Sequence, residues 1–83
     1  MQYERIRRAA ARTVGTRQTT KAIQRGQVEV VFVARDAEER VTGPVVRMCQ
    51  ERGVEIVWVD EMKALGKACG IEVGTATAAI LKG

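Results

Sequence analysis

The chain contains no histidine at all. Without an imidazole, a cysteine or hydroxyl nucleophile lacks its usual activating base, so hydrolytic and acid–base catalysis has no residues to start from. Cysteine is nearly as scarce: Cys49 and Cys69 are the only two, and they form no CxxC pair. Two such thiols exclude a disulfide framework and, with histidine missing, a zinc site; reduced and buried is their expected state. The acidic neighbours Glu38-Glu39 and Asp60-Glu61 point in different directions on a helix, so neither pair makes an acid/base couple. Long apolar runs are absent too. "VVFVA" and "IVWV" fall far short of the roughly 20 residues that cross a bilayer, and the start "MQYERIRRAAARTVG" has no apolar centre like that of a signal peptide. The expectation is a cytoplasmic protein with no catalytic residue, metal or cofactor, and with neither membrane nor small-molecule substrate as partner.

What is present is the composition of an ordinary globule, 46% apolar and 29% charged over 83 residues. That length fits one domain, residues 1–83, burying only about 60 to 65% of its unfolded surface. The net charge of +4 matters less than where it lies. Residues 1–25 hold seven cations (Arg5, Arg7, Arg8, Arg12, Arg17, Lys21 and Arg25) against Glu4 alone, whereas the remaining 58 residues are net −2. A polyanion or an acidic surface is the natural partner of such an end, the alternative being a merely solvated face.

The apolar spacing of Ile6, Ala9, Ala10 and Thr13 predicts a first helix over residues 3–12, followed by a strand of two or three residues in "TVG". Thr16 is a candidate N-cap for a second helix with Ala22 and Ile23 facing inward, closed by Gly26. "VEVVFVA" (28–34) reads as the central strand, covered on both faces. Val41, Val45, Met48 and Cys49 give a third helix ended by Gly53, its start blurred by Gly43-Pro44, which suit only a first turn. "VEIVWV" (54–59) is a second buried strand, Asp60 caps a fourth helix over Met62, Leu65 and Ala68, and "ATAAIL" (76–81) is the last strand. The alternation argues an α/β fold, a three-layer α/β/α sandwich with a mixed sheet of about four strands. Between the last helix and strand lies "GIEVG" (70–74), a surface loop whose Ile71 and Val73 either fold back onto the core or serve as an apolar tip.

"GTRQTTKAIQRG" (15–26) sets cations at the start of the second helix, where bare N–H groups already carry partial positive charge. Their mutual repulsion asks for an anion. Phosphate-binding loops need GxxxxGK and then Ser or Thr, which neither "GTRQTTK" nor "GKACGIEVG" supplies, so nucleotide hydrolysis is excluded. Recognition remains. The N–H groups of residues 16–19 form an anion seat, Arg17 and Lys21 stand four apart on one helical face beside it, and Gln18 can read a base edge. An A-form helix hides its guanine edges in a narrow groove, so the target is a kinked or bulged RNA.

These two segments, "GTRQTTKAIQRG" and "LGKACGIEVGTATAAI", resemble the paired motifs of the kink-turn RNA-binding superfamily, over essentially the whole chain. The superfamily includes archaeal and eukaryotic large-subunit ribosomal proteins, the core protein of box C/D ribonucleoprotein particles, and small bacterial paralogues. The resemblance implies an α/β/α sandwich gripping RNA bent at tandem sheared G·A pairs, with the first motif in the opened major groove and the second packed on a flipped nucleotide. It assigns the turn into the binding helix to Gly15 and Thr16, guanine and phosphate contact to Lys21, and the apolar specificity loop to Ile71, Glu72 and Val73. Arg17-Gln18 replaces the Asn-Glu usual in archaeal members and is similar to the small bacterial paralogues. Gly74 replaces a proline, which leaves the loop more mobile before binding.

The expected function is therefore non-catalytic recognition of kink-turn RNA, ribosomal or in a messenger leader, with the ribosome as a candidate partner. RNA contacts fall to Gly15, Thr16, Arg17, Gln18, Lys21, Ile71, Glu72 and Val73, with Arg12 and Lys67 as secondary phosphate contacts and Arg5, Arg7 and Arg8 as an unspecific electrostatic footprint. The rival reading is a protein-interaction adaptor that docks the same basic face on an acidic protein.

Overall fold

The computed structural model describes residues 2–83. Its elements run α1 (Glu4–Arg8), β1 (Arg12–Val14), α2 (Thr16–Gln24), β2 (Val28–Ala34), α3 (Glu39–Arg52), β3 (Glu55–Val59), α4 (Met62–Ala68) and β4 (Thr77–Leu81). The four strands form one mixed sheet in the order β1-β4-β2-β3, with β2 and β3 parallel and the other neighbours antiparallel. Helices cover both faces, so the expected three layers are present.

The layers follow from side-chain alternation along β2. Val30, Phe32 and Ala34 point to one face, where Ile6 of α1 and Leu65 and Ala68 of α4 cover them. Val31 and Val33 point to the other, under Ala22 and Ile23 of α2 and Val45 and Cys49 of α3. Val28 would by strict alternation share a face with Val30. A register shift against β4 between these two residues lets both valines be buried in opposite layers while Glu29 between them turns out to solvent.

Several local expectations are corrected. Helix α1 ends at Arg8 rather than residue 12, because Arg12–Val14 must be extended to pair with Ile80–Ala78 of β4. Thr13, assigned by spacing to the stripe of α1, lies instead on β1 with its hydroxyl 2.9 Å from that of Thr19. Strand β3 is a sheet edge and not a buried strand; Trp58 is 42% exposed. On α3 the buried face is Thr42, Val45 and Cys49, and Val41 is exposed. Pro44 sits beyond the first turn of α3, in an exposed stretch where the Arg40 carbonyl that its ring crowds can tilt toward water. Asp60 does not cap α4. The N-cap position is Glu61, and the Met62 N–H donates to Asp36 Oδ1 at 2.8 Å, an acceptor from the loop after β2.

Cys49 and Cys69 are free and buried in opposite layers. Burial pushes both thiols up, with Arg12 opposing the effect at Cys69. No helix among the described residues is long and apolar enough to cross a membrane.

Candidate nucleic-acid interface

Strand β1 runs out at Val14, and Gly15 turns the chain straight into α2 with φ 92° and ψ 155°, a conformation for which only glycine is suited. Gly15 is the N-cap, so Thr16 begins the helix and does not cap it. Its hydroxyl instead accepts a 3.3 Å bond from Thr77 on β4. Thr19 N–H already donates to the Gly15 carbonyl at 3.0 Å, which shortens the expected row of free N–H groups from residues 16–19 to Thr16, Arg17 and Gln18.

The outward face of α2 carries Arg17, Gln18, Lys21 and Gln24, all exposed, with the exposed Arg25 at its C-cap, while Thr19, Ala22 and Ile23 are buried. Among the described residues, Arg17, Lys21 and Arg25 take part in no ion pair. Gln18, Lys21 and Arg25 line one shallow hollow with Thr13 and Leu81 beside β1. The positions 17, 21 and 25 repeat every fourth residue, a spacing that marks Arg25 as a further member of this row.

The second segment arrives at the same end of the sheet. Gly15 N–H donates to the Thr77 carbonyl at 3.0 Å, which puts the entrance of α2 beside the residues that lead out of the 70–76 loop. Ile71 is half-buried, with its N–H on the Gly66 carbonyl at 3.0 Å; Val73 is 69% exposed. The two apolar residues therefore divide the alternatives between them, Ile71 leaning inward and Val73 forming the tip. Lys63, Lys67, Gly70, Ile71 and Glu72 surround a hollow of about 420 Å³. Lys63 escaped notice in the sequence, although it stands four residues before Lys67 as Arg17 stands before Lys21.

Gly74 lies close to α4: a Cβ there would be 3.2 Å from Cβ of Met62, and Thr75 N–H bonds the Met62 carbonyl at 3.1 Å. A side chain on Gly66 would collide with the Val73 carbonyl oxygen, so the loop lies directly on the backbone of α4.

Arg12, the expected secondary phosphate contact, is hydrogen-bonded within the chain. Its guanidinium donates to the carbonyls of Ile6, Arg7 and Ala9 at the end of α1 and to that of Cys69. Arg5 is bound to Glu55 by two bonds of 3.1 and 3.2 Å, and that pairing holds the Glu55 carboxyl below its ordinary value. Arg7 and Arg8 face Glu4. Arg5 and Arg8 line a hollow with Glu29 and Ile80, at the end of the sheet away from Gly15 and Thr77. The basic first third is thus not one patch: α1 and its cations cover one face of the sheet, α2 and its cations the other.

Both segments with the spacing of a known superfamily now stand side by side, and the comparison of the whole chain agrees. The profile of the ribosomal protein L7Ae/L30e/S12e/Gadd45 family matches residues 3–83. The chain belongs to that family. An RNA-binding protein of Bacillus pumilus is 48% identical over 81 residues, spanning 98% of this chain and 99% of the relative. RNA-binding protein YbxF of Geobacillus stearothermophilus is 42% identical over 82 residues, 99% and 100% of the two chains. Among solved structures, a Giardia lamblia 15.5kD RNA binding protein superposes with a TM-score of 0.85 at 29% identity, over 99% of this chain and 69% of the other. Within the L7Ae/L30e/S12e/Gadd45 family, then, this chain resembles small bacterial members along its full length.

Proposed function

We propose that this chain is a non-catalytic RNA-binding protein that recognises kink-turn RNA, acting in the cytoplasm on ribosomal or messenger-leader RNA. The observation that carries the reading is the junction of Gly15 with Thr77, which sets the entrance of α2, the helix that carries the free cations, beside the residues leading out of the apolar loop. The relatives whose names state RNA binding support it. Arg17, Gln18 and Lys21 approach guanine edges and phosphates in a groove opened by the bend, and Lys63 and Lys67 neutralise phosphates beside the hollow. Ile71 and Val73 cover a base turned out of the stack, with Glu72 at its edge. Histidine is missing and both thiols are buried, so the residues suit holding RNA rather than cutting it.

The test is a binding titration with a kink-turn RNA and with the same RNA after its sheared G·A pairs are replaced by Watson–Crick pairs. Tighter binding to the bent RNA by tenfold or more is expected. Equal affinity for the two would reduce the interaction to polyanion attraction and favour the adaptor reading instead.

A further inference from the structure

Three hydroxyl residues meet where the two proposed RNA-binding segments join. The Thr77 carbonyl accepts two hydrogen bonds, one from Gly15 N–H at 3.0 Å and one from Thr75 Oγ1 at 2.8 Å. One donor belongs to the entrance of α2 and the other to the end of the 70–76 loop. The Thr77 hydroxyl then donates to Thr16 Oγ1 at 3.3 Å. Thr75 and Thr77 are buried, at 6% and 0% exposure, so these bonds do not compete with bulk water and are costly to leave unmade. The Thr77 carbonyl would be present whatever side chain stood there, but at Thr75, in the loop before β4, the hydroxyl itself is what reaches it.

The segments are also fixed from outside. Thr19 Oγ1 lies 2.9 Å from Thr13 Oγ1 on β1, which holds the first turn of α2 from below. Thr75 N–H on the Met62 carbonyl and Ile71 N–H on the Gly66 carbonyl hold the loop to α4. What joins these two anchored bodies is the clasp at Thr77.

We infer that Thr75, whose hydroxyl holds the end of the loop to the same Thr77 carbonyl that receives Gly15 N–H, is a positioning residue that sets the spacing between the α2 entrance and the 71–74 loop, so that one RNA can engage both at once. The inference rests on the proposed kink-turn reading. A ligand touching two sites gains from the second only when their separation is fixed beforehand; otherwise the gain is spent in ordering them. Losing the clasp should therefore weaken only RNA that uses both segments.

The experiment compares Thr75→Val with the wild-type chain on two RNAs: an intact kink-turn, and the same kink-turn with its turned-out nucleotide made abasic. Thr75→Val removes the hydroxyl that reaches the Thr77 carbonyl, and is expected to lose fivefold or more in affinity for the intact RNA and less than twofold for the abasic one. Thr75→Ser, which keeps the hydroxyl, should stay within twofold of wild type on both. Equal losses on the two RNAs, which general loosening would produce, overturn the inference, as does unchanged binding of the intact RNA. Should Thr75→Val not fold, Thr75→Ala takes its place with the same expected pattern and the same overturning results. Wild-type chain that fails to prefer intact kink-turn over its Watson–Crick counterpart overturns the kink-turn reading and the inference with it. Wild-type preference with an unaltered Thr75→Val overturns the inference alone.

Discussion

The guanidinium of Arg12 lies 3.2 Å from the carbonyl of Cys69, the residue that closes α4, while its other nitrogen reaches three carbonyls at the end of α1. One cation on β1 thus ties together the two helices of one layer, at the helix ends where the backbone dipole is negative. Arg12→Ala should cost about 1–2 kcal/mol of stability, given the long and partly exposed bonds, and lower Tm by roughly 4–8 °C for each kcal/mol. Thermal denaturation measures the first effect. RNA affinity at a temperature where the variant is folded should change by less than threefold, because the side chain faces carbonyls and not the outward row of α2.

The buried thiols give a prediction about pH. Cys49 is raised above the ordinary thiol value of 9.0 by burial alone. The unfolded chain therefore releases this proton at a lower pH than the folded one, and binds fewer protons than the folded chain between the two values. Stability contributed by the site is complete below about pH 9 and falls as pH rises further. Denaturation in urea across pH 8 to 10.5 should show a steeper decline for wild type than for Cys49→Ala, which starts lower because of the cavity but loses less on titration.

Much of the fold is legible from pattern. The run at 28–34, apolar but for Glu29, gives a strand covered twice over, and from Val30 onward it is one, because a mixed sheet with helices on both faces leaves β2 no polar side there. The Ile6 stripe misleads for a long-range reason: Ala9 to Thr13 have helical spacing, but the partner that pulls Arg12–Val14 straight is β4, more than sixty residues away in sequence. Trp58 looks like core by composition and is exposed because β3 has no neighbour on its outer side, which only topology decides. The site divides in the same way. The exposure of Lys21 and Arg17 follows from local helical geometry. The diversion of Arg12 and Arg5 to internal partners depends on Cys69 and Glu55, which no spacing rule brings near.

Gly66 has no Cβ because the Val73 carbonyl occupies its place. Gly66→Ala would push the 71–74 loop off α4 or bend the helix, at a cost of about 1–3 kcal/mol for overpacking. Because Ile71 N–H also bonds the Gly66 carbonyl, the displacement should reach the apolar tip. Amide exchange in residues 70–76 should speed up in this variant before exchange in β2 does. Affinity for a kink-turn RNA should drop, and the drop should shrink when the turned-out nucleotide is abasic.

Lys21 and Arg8 separate location from charge. Both are exposed cations of the basic first third, but Lys21 stands on the outward face of α2 and Arg8 lines a hollow with Glu29 and Ile80 on the opposite face of the sheet, under α1. If RNA is held at the end built by Gly15 and Thr77, Lys21→Ala should lose about 1–3 kcal/mol of binding and lower the slope of log affinity against log salt by roughly 0.7–0.9, the loss of one phosphate or guanine contact. Its denaturation midpoint should stay within about 0.5 kcal/mol of wild type, as for other exposed side chains without partners. Arg8→Ala removes the same formal charge but should shift affinity less than threefold and leave the salt slope nearly unaltered, since its nearest partner is Glu4 at 3.2 Å. Titrations at four salt concentrations read both slopes. Equal effects from the two variants would mean that the chain attracts RNA through net charge over its whole surface, and that the α2 row has no special part in binding.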